Sequence, residues 1–427
     1  MSGRNPIADL RGLSRLAVEA TTGVTDAVEA MHHAIARAPG ILGTPPRGRT
    51  RGITGLTYRS VRGMARLVGG GLDALLAQLD PVLGQARPSP RWESLISVLN
   101  GVVGDHLAAS GSPLAIPMGL RRNGRALRLE RRRLAAAIRR PGHRLLVLAH
   151  GLCMDDLRWR RLGHDHGLAL ARDLGYTPLY LRYNSGLHVS VNGRELADLL
   201  ENLVGQWPAE VEELVILAHS LGGLVARSAC HQGAAAGHRW PGHLRALVFL
   251  GTPHHGAGLE RVGNLANVLL GISPYSAPIA RLARLRSAGV TDLRHGSLLD
   301  EDWEGRSRFE HAPDRRRPVP LPAGARCYAI AATTAARGAG RRGALPGDGI
   351  VPLDSALGRH RDPALTLPLP SSRRWVGHGM GHLDLLSRPE VYARIAGWLA
   401  PPRRSRQPRR PRRDSRAPKL AARDSLP

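Results

Sequence analysis

Eleven residues, Leu214-Val215-Ile216-Leu217-Ala218-His219-Ser220-Leu221-Gly222-Gly223-Leu224, constrain this chain more than any other stretch. An apolar run with β-branched members stops at a serine flanked by small residues, and helix-compatible residues (Leu224, Val225, Ala226, Arg227) follow. The pattern predicts strand, sharp turn and helix. Such a turn strains its central residue, so the positions two before and two after must be small enough for the arms to approach, as Ala218 and Gly222 are. Ser220 would then stand above the C-terminal edge of a parallel sheet as a nucleophile. The N–H of Leu221 would point to where an oxyanion forms. A Gly-rich turn carrying a serine by chance is the plainer alternative, and the neighbouring elements decide between the two.

Those elements alternate. An Asn123-Gly124 turn between two short runs predicts a hairpin. A basic helix over 130–140 leads to the buried strand 145–149, which ends in His150-Gly151-Leu152-Cys153. A loop leaving the sheet beside the elbow can supply a second oxyanion donor, and Leu152 N–H is our choice. A helix over 168–174 stops at Gly175, and a strand over 178–182 follows. Asn192 and Glu195 have capping-box spacing for the next helix. Beyond the elbow, strands over 244–250 and 325–332 follow, the first ending in Gly251-Thr252-Pro253-His254-His255-Gly256. The expected fold class is therefore α/β, with a doubly wound, mostly parallel sheet whose ligands sit at the carboxyl ends of the strands.

The rest of the chain is of another kind. Before residue 115, Val24, Val28, Met31 and Ile35, then Val61, Met64, Val68, Leu72, Leu75 and Leu79, recur at helical spacing around a Pro/Gly/Arg linker at 39–51. Ser89-Pro90 with Glu93 opens a third helix. This N-terminal helical region (1–115) reads as a small bundle packed on a catalytic domain (116–400), in preference to an interfacial membrane anchor. A cap insertion is expected at about 257–320. The tail (401–427), with ten basic residues against two acidic ones and little apolar content, is expected to be disordered.

The net charge of +27 is nearly all arginine and implies non-specific attraction to anionic surfaces. With 4% aromatic residues and no recognition-helix or zinc-finger spacing, no specific nucleic-acid partner is expected. Cys153, Cys230 and Cys327 show no CxxC pairing and read as small buried side chains, and neither a metal nor a cofactor is called for. Residues 1–20 lack a signal-peptide core, and no run of about 18 apolar residues occurs, so the expected location is cytoplasmic and at most membrane-peripheral.

A serine elbow needs a base and an acid on later strand ends. Gly347-Asp348-Gly349 places an aspartate in a tight loop after the 325–332 strand, with Asp354 and Asp384 as alternatives. His382 and His378, in Gly377-His378-Gly379-Met380-Gly381-His382, both come before a last helix that Ser387-Arg388-Pro389-Glu390 would cap. His382 is preferred for its place beside that helix. His150, His219, His254 and His378 are the candidates for lining a substrate pocket.

Together, His150-Gly151-Leu152, Ala218-His219-Ser220-Leu221-Gly222-Gly223, Gly251-Thr252-Pro253-His254-His255-Gly256, Gly347-Asp348-Gly349-Ile350-Val351-Pro352 and Gly381-His382-Leu383-Asp384-Leu385-Leu386 resemble the α/β-hydrolase superfamily. Within it the chain is similar to bacterial triacylglycerol lipases and GPI inositol-deacylase-like serine esterases over roughly 145–399. The resemblance implies an α/β-hydrolase fold with Ser220, Asp348 and His382 as triad, and a small-molecule or lipid ester as substrate. It departs from the commoner elbow by Ala218 in place of glycine. Acyl transfer on the same triad, or a non-catalytic basic scaffold binding membrane or nucleic acid, are the alternatives.

Overall fold

The computed structural model describes residues 90–257, 287–306, 314–337 and 346–401, with residues 9, 11–19, 22 and 26. The helices expected at 24–35 and 61–79 lie almost wholly outside the described residues, as do 258–286 and 307–313 of the cap and the tail from 402.

The Asn123-Gly124 turn, with φ of 52° and 70°, joins β1 (Gly119–Arg122) to β2 (Arg125–Ala126) as an antiparallel hairpin. Six further strands follow: β3 (Arg144–Ala149), β4 (Thr177–Arg182), β5 (Glu213–His219), β6 (Leu244–Leu250), β7 (Arg326–Thr333) and β8 (Arg374–His378). They form one eight-stranded sheet in the order β2-β1-β4-β3-β5-β6-β7-β8. β1 pairs antiparallel with both β2 and β4, and β4, β3, β5, β6, β7 and β8 pair parallel. Leu214 to Ala218 and Ala246 to Leu250 are wholly buried, which a strand achieves only when both faces of its sheet are covered. Register pairs Ala149 with Ala218, His219 with Leu250, and Thr333 with His378. The loops after β3, β5, β6, β7 and β8 therefore leave along one edge. This is the α/β-hydrolase fold.

The helices are α1 (Pro90–Ala109), α2 (Arg131–Ala137), α3 (His166–Leu174), α4 (Val189–Gln206), α5 (Leu221–Ala235), α6 (Ala288–Asp292), α7 (Leu353–Ala356) and α8 (Pro389–Leu399). Gly175, at φ 73°, ends α3 where the sequence places the stop. Three helix boundaries differ from expectation. First, α2 stops at Ala137 because Ile138 turns extended to bury its side chain. Second, α4 begins at Val189, so Asn192 and Glu195 lie inside it and form no capping box. The first N–H instead donates to Asp292 Oδ2 at 2.7 Å, from a segment about a hundred residues on. Third, Ser387 does not cap α8, because it closes the preceding 3₁₀ turn; Arg388 takes the cap position and Pro389 the first helical one.

The long helix α1 is part of the hydrolase core, burying Ile96, Leu99, Val102, Val103 and Leu107. Its Glu93 lies against Arg121 of β1 and Arg182 of β4, and Asp156 meets the same two arginines. Such buried pairs fix position more than they add stability. Asn184 Nδ2 donates to Gly104 O at 2.8 Å, and α1 kinks next to it at Val103. No helix among the described residues is long and apolar enough to cross a membrane.

Candidate active site

Ser220 sits between β5 and α5 with φ 54° and ψ −126°, a conformation that costs a non-glycine residue about 1–3 kcal/mol. Its neighbours hold it there. Ser220 N–H donates to Leu250 O at 2.8 Å, and Gly223 N–H donates to Ser220 O at 2.9 Å. A β-carbon on Gly222 would lie 2.5 Å from His150 O, so the turn closes against the end of β3 only with glycine there. Ala218 lies between Ala149 and Phe249 of the flanking strands, where small size is again what the turn needs.

The structure chooses among the acids and histidines. His382 Nδ1 is 2.7 Å from Asp348 Oδ2, and both residues are 4% exposed. Asp348 Oδ1 accepts the N–H groups of Ile350 and Val351 at 3.0 and 2.8 Å, and His382 N–H donates to Asp348 O at 3.1 Å. The carboxylate is thus fixed on one oxygen and offers the other to the imidazole. Asp354 pairs with Arg359 at the surface, and Asp384 Oδ2 accepts Gly381 N–H at 2.9 Å. His378 ends β8 half-buried, away from the Asp348 contact. The His382 ring rests on Gly251, where a β-carbon would be 3.1 Å from Cε1, one residue beyond the carbonyl that holds Ser220 N–H. Its buried Nε2 has no hydrogen-bond partner among the described residues.

The loop after β3 comes up to the serine: a β-carbon on Gly151 would lie 3.0 Å from Ser220 Cβ. Leu152 follows in a turn closed by Met154 N–H to Gly151 O. Cys153, at φ 59°, donates its N–H to Ser185 Oγ at 3.1 Å, a strained residue beside the expected oxyanion donor that no sequence signal marks. Leu221 is the first residue of α5, where backbone N–H groups lack intrahelical partners.

Three of the four histidines expected in a pocket have no access to this site. His150 is fully buried, stacked on Tyr183 with its Nδ1 donating to Gly151 O at 2.9 Å; burial pushes it down to about 4, so the ring is neutral. His219 is also fully buried. Its Nε2 donates to His382 O at 3.2 Å, and desolvation takes it well below its ordinary value. It holds the backbone of His382 and is closed to a ligand. His254 lines a separate cavity with Arg227. Among the described residues no group of three or more His, Cys, Asp or Glu is arranged to hold a metal ion.

The strand order and the strained strand–turn–helix serine are those of an α/β hydrolase. Residues 146–314 match the family model described as "PGAP1-like alpha/beta domain", which spans β3, the elbow and β6 and ends before Asp348 and His382. No curated protein matches the sequence. Among solved structures the chain is similar to the mature lipase BlEst2 of Bacillus licheniformis, at 18% identity and TM-score 0.37, over 61% of this chain and 93% of that one. It is similar to the esterase Pf2001 of Pyrococcus furiosus, at 12% identity and TM-score 0.36, over 60% and 81%. The NocB thioesterase domain, in covalent complex with a fluorophosphonate nocardicin G analog, is matched at 16% identity and TM-score 0.33, over 59% and 91%.

Proposed function

We propose that the chain is a serine hydrolase of carboxylic esters, with Ser220 as nucleophile, His382 as base and Asp348 as the acid that orients it. The observation carrying this reading is the buried 2.7 Å contact between His382 and Asp348, beside a serine held at positive φ. Ser220 Oγ attacks the ester carbonyl while its proton passes to His382 Nε2. The N–H groups of Leu152 and Leu221 hold the developing oxyanion, and Asp348 stabilises the imidazolium. Collapse expels the alcohol, protonated by His382, and leaves the acyl group on Ser220. His382 then takes a proton from water, whose oxygen attacks the acyl-enzyme; as the second intermediate collapses, His382 returns the proton to Ser220 Oγ and the carboxylic acid departs. A net charge of +27 supports contact with anionic membranes and hence a lipid ester as substrate.

The test is hydrolysis of p-nitrophenyl esters from acetate to palmitate, together with fluorophosphonate labelling, by the wild type and Ser220→Ala. We expect the variant to lose both, with kcat down by at least about 10³-fold. Equal labelling of the two proteins, or no hydrolysis and no labelling by the wild type, overturns the reading.

A further inference from the structure

A second cavity, of about 220 Å³, lies off the serine site: neither Ser220, Asp348 nor His382 lines it. At its floor is Arg227, on the second turn of the helix that follows the elbow and only 4% exposed. This guanidinium has no carboxylate partner among the described residues. Its Nη2 donates to Val319 O at 2.7 Å, its Nη1 lies 3.4 Å from His254 Nδ1, and its Nε has no partner. His254 is fully buried beside it, with Nε2 also unpartnered. Burial and the nearby arginines push His254 well below its ordinary value, so the imidazole does not add to the charge. Arg316, also on the wall, is neutralised by Asp314 and holds the carbonyls of His254 and Gly296. The acidic group on the wall, Asp302, spends Oδ2 on the N–H groups of Leu298 and Leu299.

A buried cation with no carboxylate bonded to it among the described residues is costly unless a counter-charge joins it. We propose that this cavity binds a small oxyanion, of the phosphate or carboxylate class, that pairs with Arg227. The planar fork of arginine matches either ligand. Exposed Arg317 at the mouth supplies the attraction for entry. The volume lies below the roughly 300–1,000 Å³ of sites for drug-sized ligands, so the occupant is the anionic group itself or a short molecule bearing it.

The experiment is thermal unfolding of the full chain against rising inorganic phosphate, acetate or glycerol phosphate, with sodium chloride at matched ionic strength as reference. Equilibrium dialysis of phosphate gives the stoichiometry. We expect phosphate or acetate to raise Tm in a saturable, one-site manner that chloride does not reproduce. Arg227→Met should weaken that affinity about tenfold or more, while Arg160→Gln, at an exposed arginine elsewhere, leaves it unchanged. Glycerol phosphate acting as well as phosphate assigns the site to phosphomonoester groups, lipid headgroups among them; phosphate acting alone assigns it to the free ion. A Tm response equal in chloride, a response retained by Arg227→Met, or no saturable site for either phosphate or acetate on the wild type overturns the proposal. If Arg227→Met does not fold, Arg317→Gln serves instead, and an unchanged affinity there overturns it.

Discussion

The two carboxylate oxygens of Asp348 meet different partners, which separates its structural contacts from the role proposed for it. Oδ1 is held by two backbone N–H groups and Oδ2 faces His382 Nδ1, so Asp348→Asn keeps the first contact and changes the second. An amide N–H aimed at Nδ1 forces the proton onto Nε2, where the base must be free. We therefore expect Asp348→Asn to fold with an unchanged melting curve and to lose about 10⁴-fold in kcat, read from ester hydrolysis beside circular dichroism. At this scale the sequence supplied candidates and a preference, Asp348 and His382, and the structure brings those two into contact. Asp348, Asp354 and Asp384 all follow the 325–332 strand in sequence, and what separates them is a contact of Asp348 with His382 across 34 positions of chain. His219 reads in sequence as a candidate for the pocket lining, whereas in the structure it is fully buried. Its bond to the backbone of His382 spans 163 positions, which no local pattern encodes.

Elements differ in how much of their boundary is local. The β-branched runs of β3, β5 and β6 announce themselves because buried parallel strands are apolar on both faces. The start of α4 does not, because its capping acceptor is Asp292, brought in by the α6 segment. That carboxylate also lies 3.0 Å from His188 Nδ1, and burial raises its pKa against the pull of His188 and Val189 N–H. We expect Asp292→Ala to lower unfolding stability by about 2 kcal/mol, seen as a lower urea midpoint with unchanged slope. An unchanged midpoint would show that α4 needs no such cap. In α1, likewise, helical periodicity was legible. Its place against β1 and β4 was decided by Glu93, Arg121, Arg182 and Asp156, which lie far apart in sequence.

For the whole molecule, burial of histidines sets an acid limit. His150 and His166 are pushed down to about 4 by desolvation, from an ordinary value of 6.5. The unfolded chain therefore binds more protons than the folded one between those values. Stability is fully present above about pH 6.5 and is lost as pH falls toward 4, with up to about 2 kcal/mol from each residue gone by pH 5. Urea midpoints at pH 7.5, 6 and 5 check this, and a midpoint that stays flat or rises on acidification would contradict it. The sequence by itself determined the alternation of strand and helix, the elbow with its small residues, and the short set of groups able to act with Ser220. These are local consequences of side-chain shape, backbone freedom and hydrophobic period. Tertiary structure alone decided which acid meets which histidine, which histidines are walled into the core, and where a buried arginine with no carboxylate partner among the described residues comes to face a cavity. Each of those depends on segments that meet only when the parallel sheet brings its strand ends to one edge.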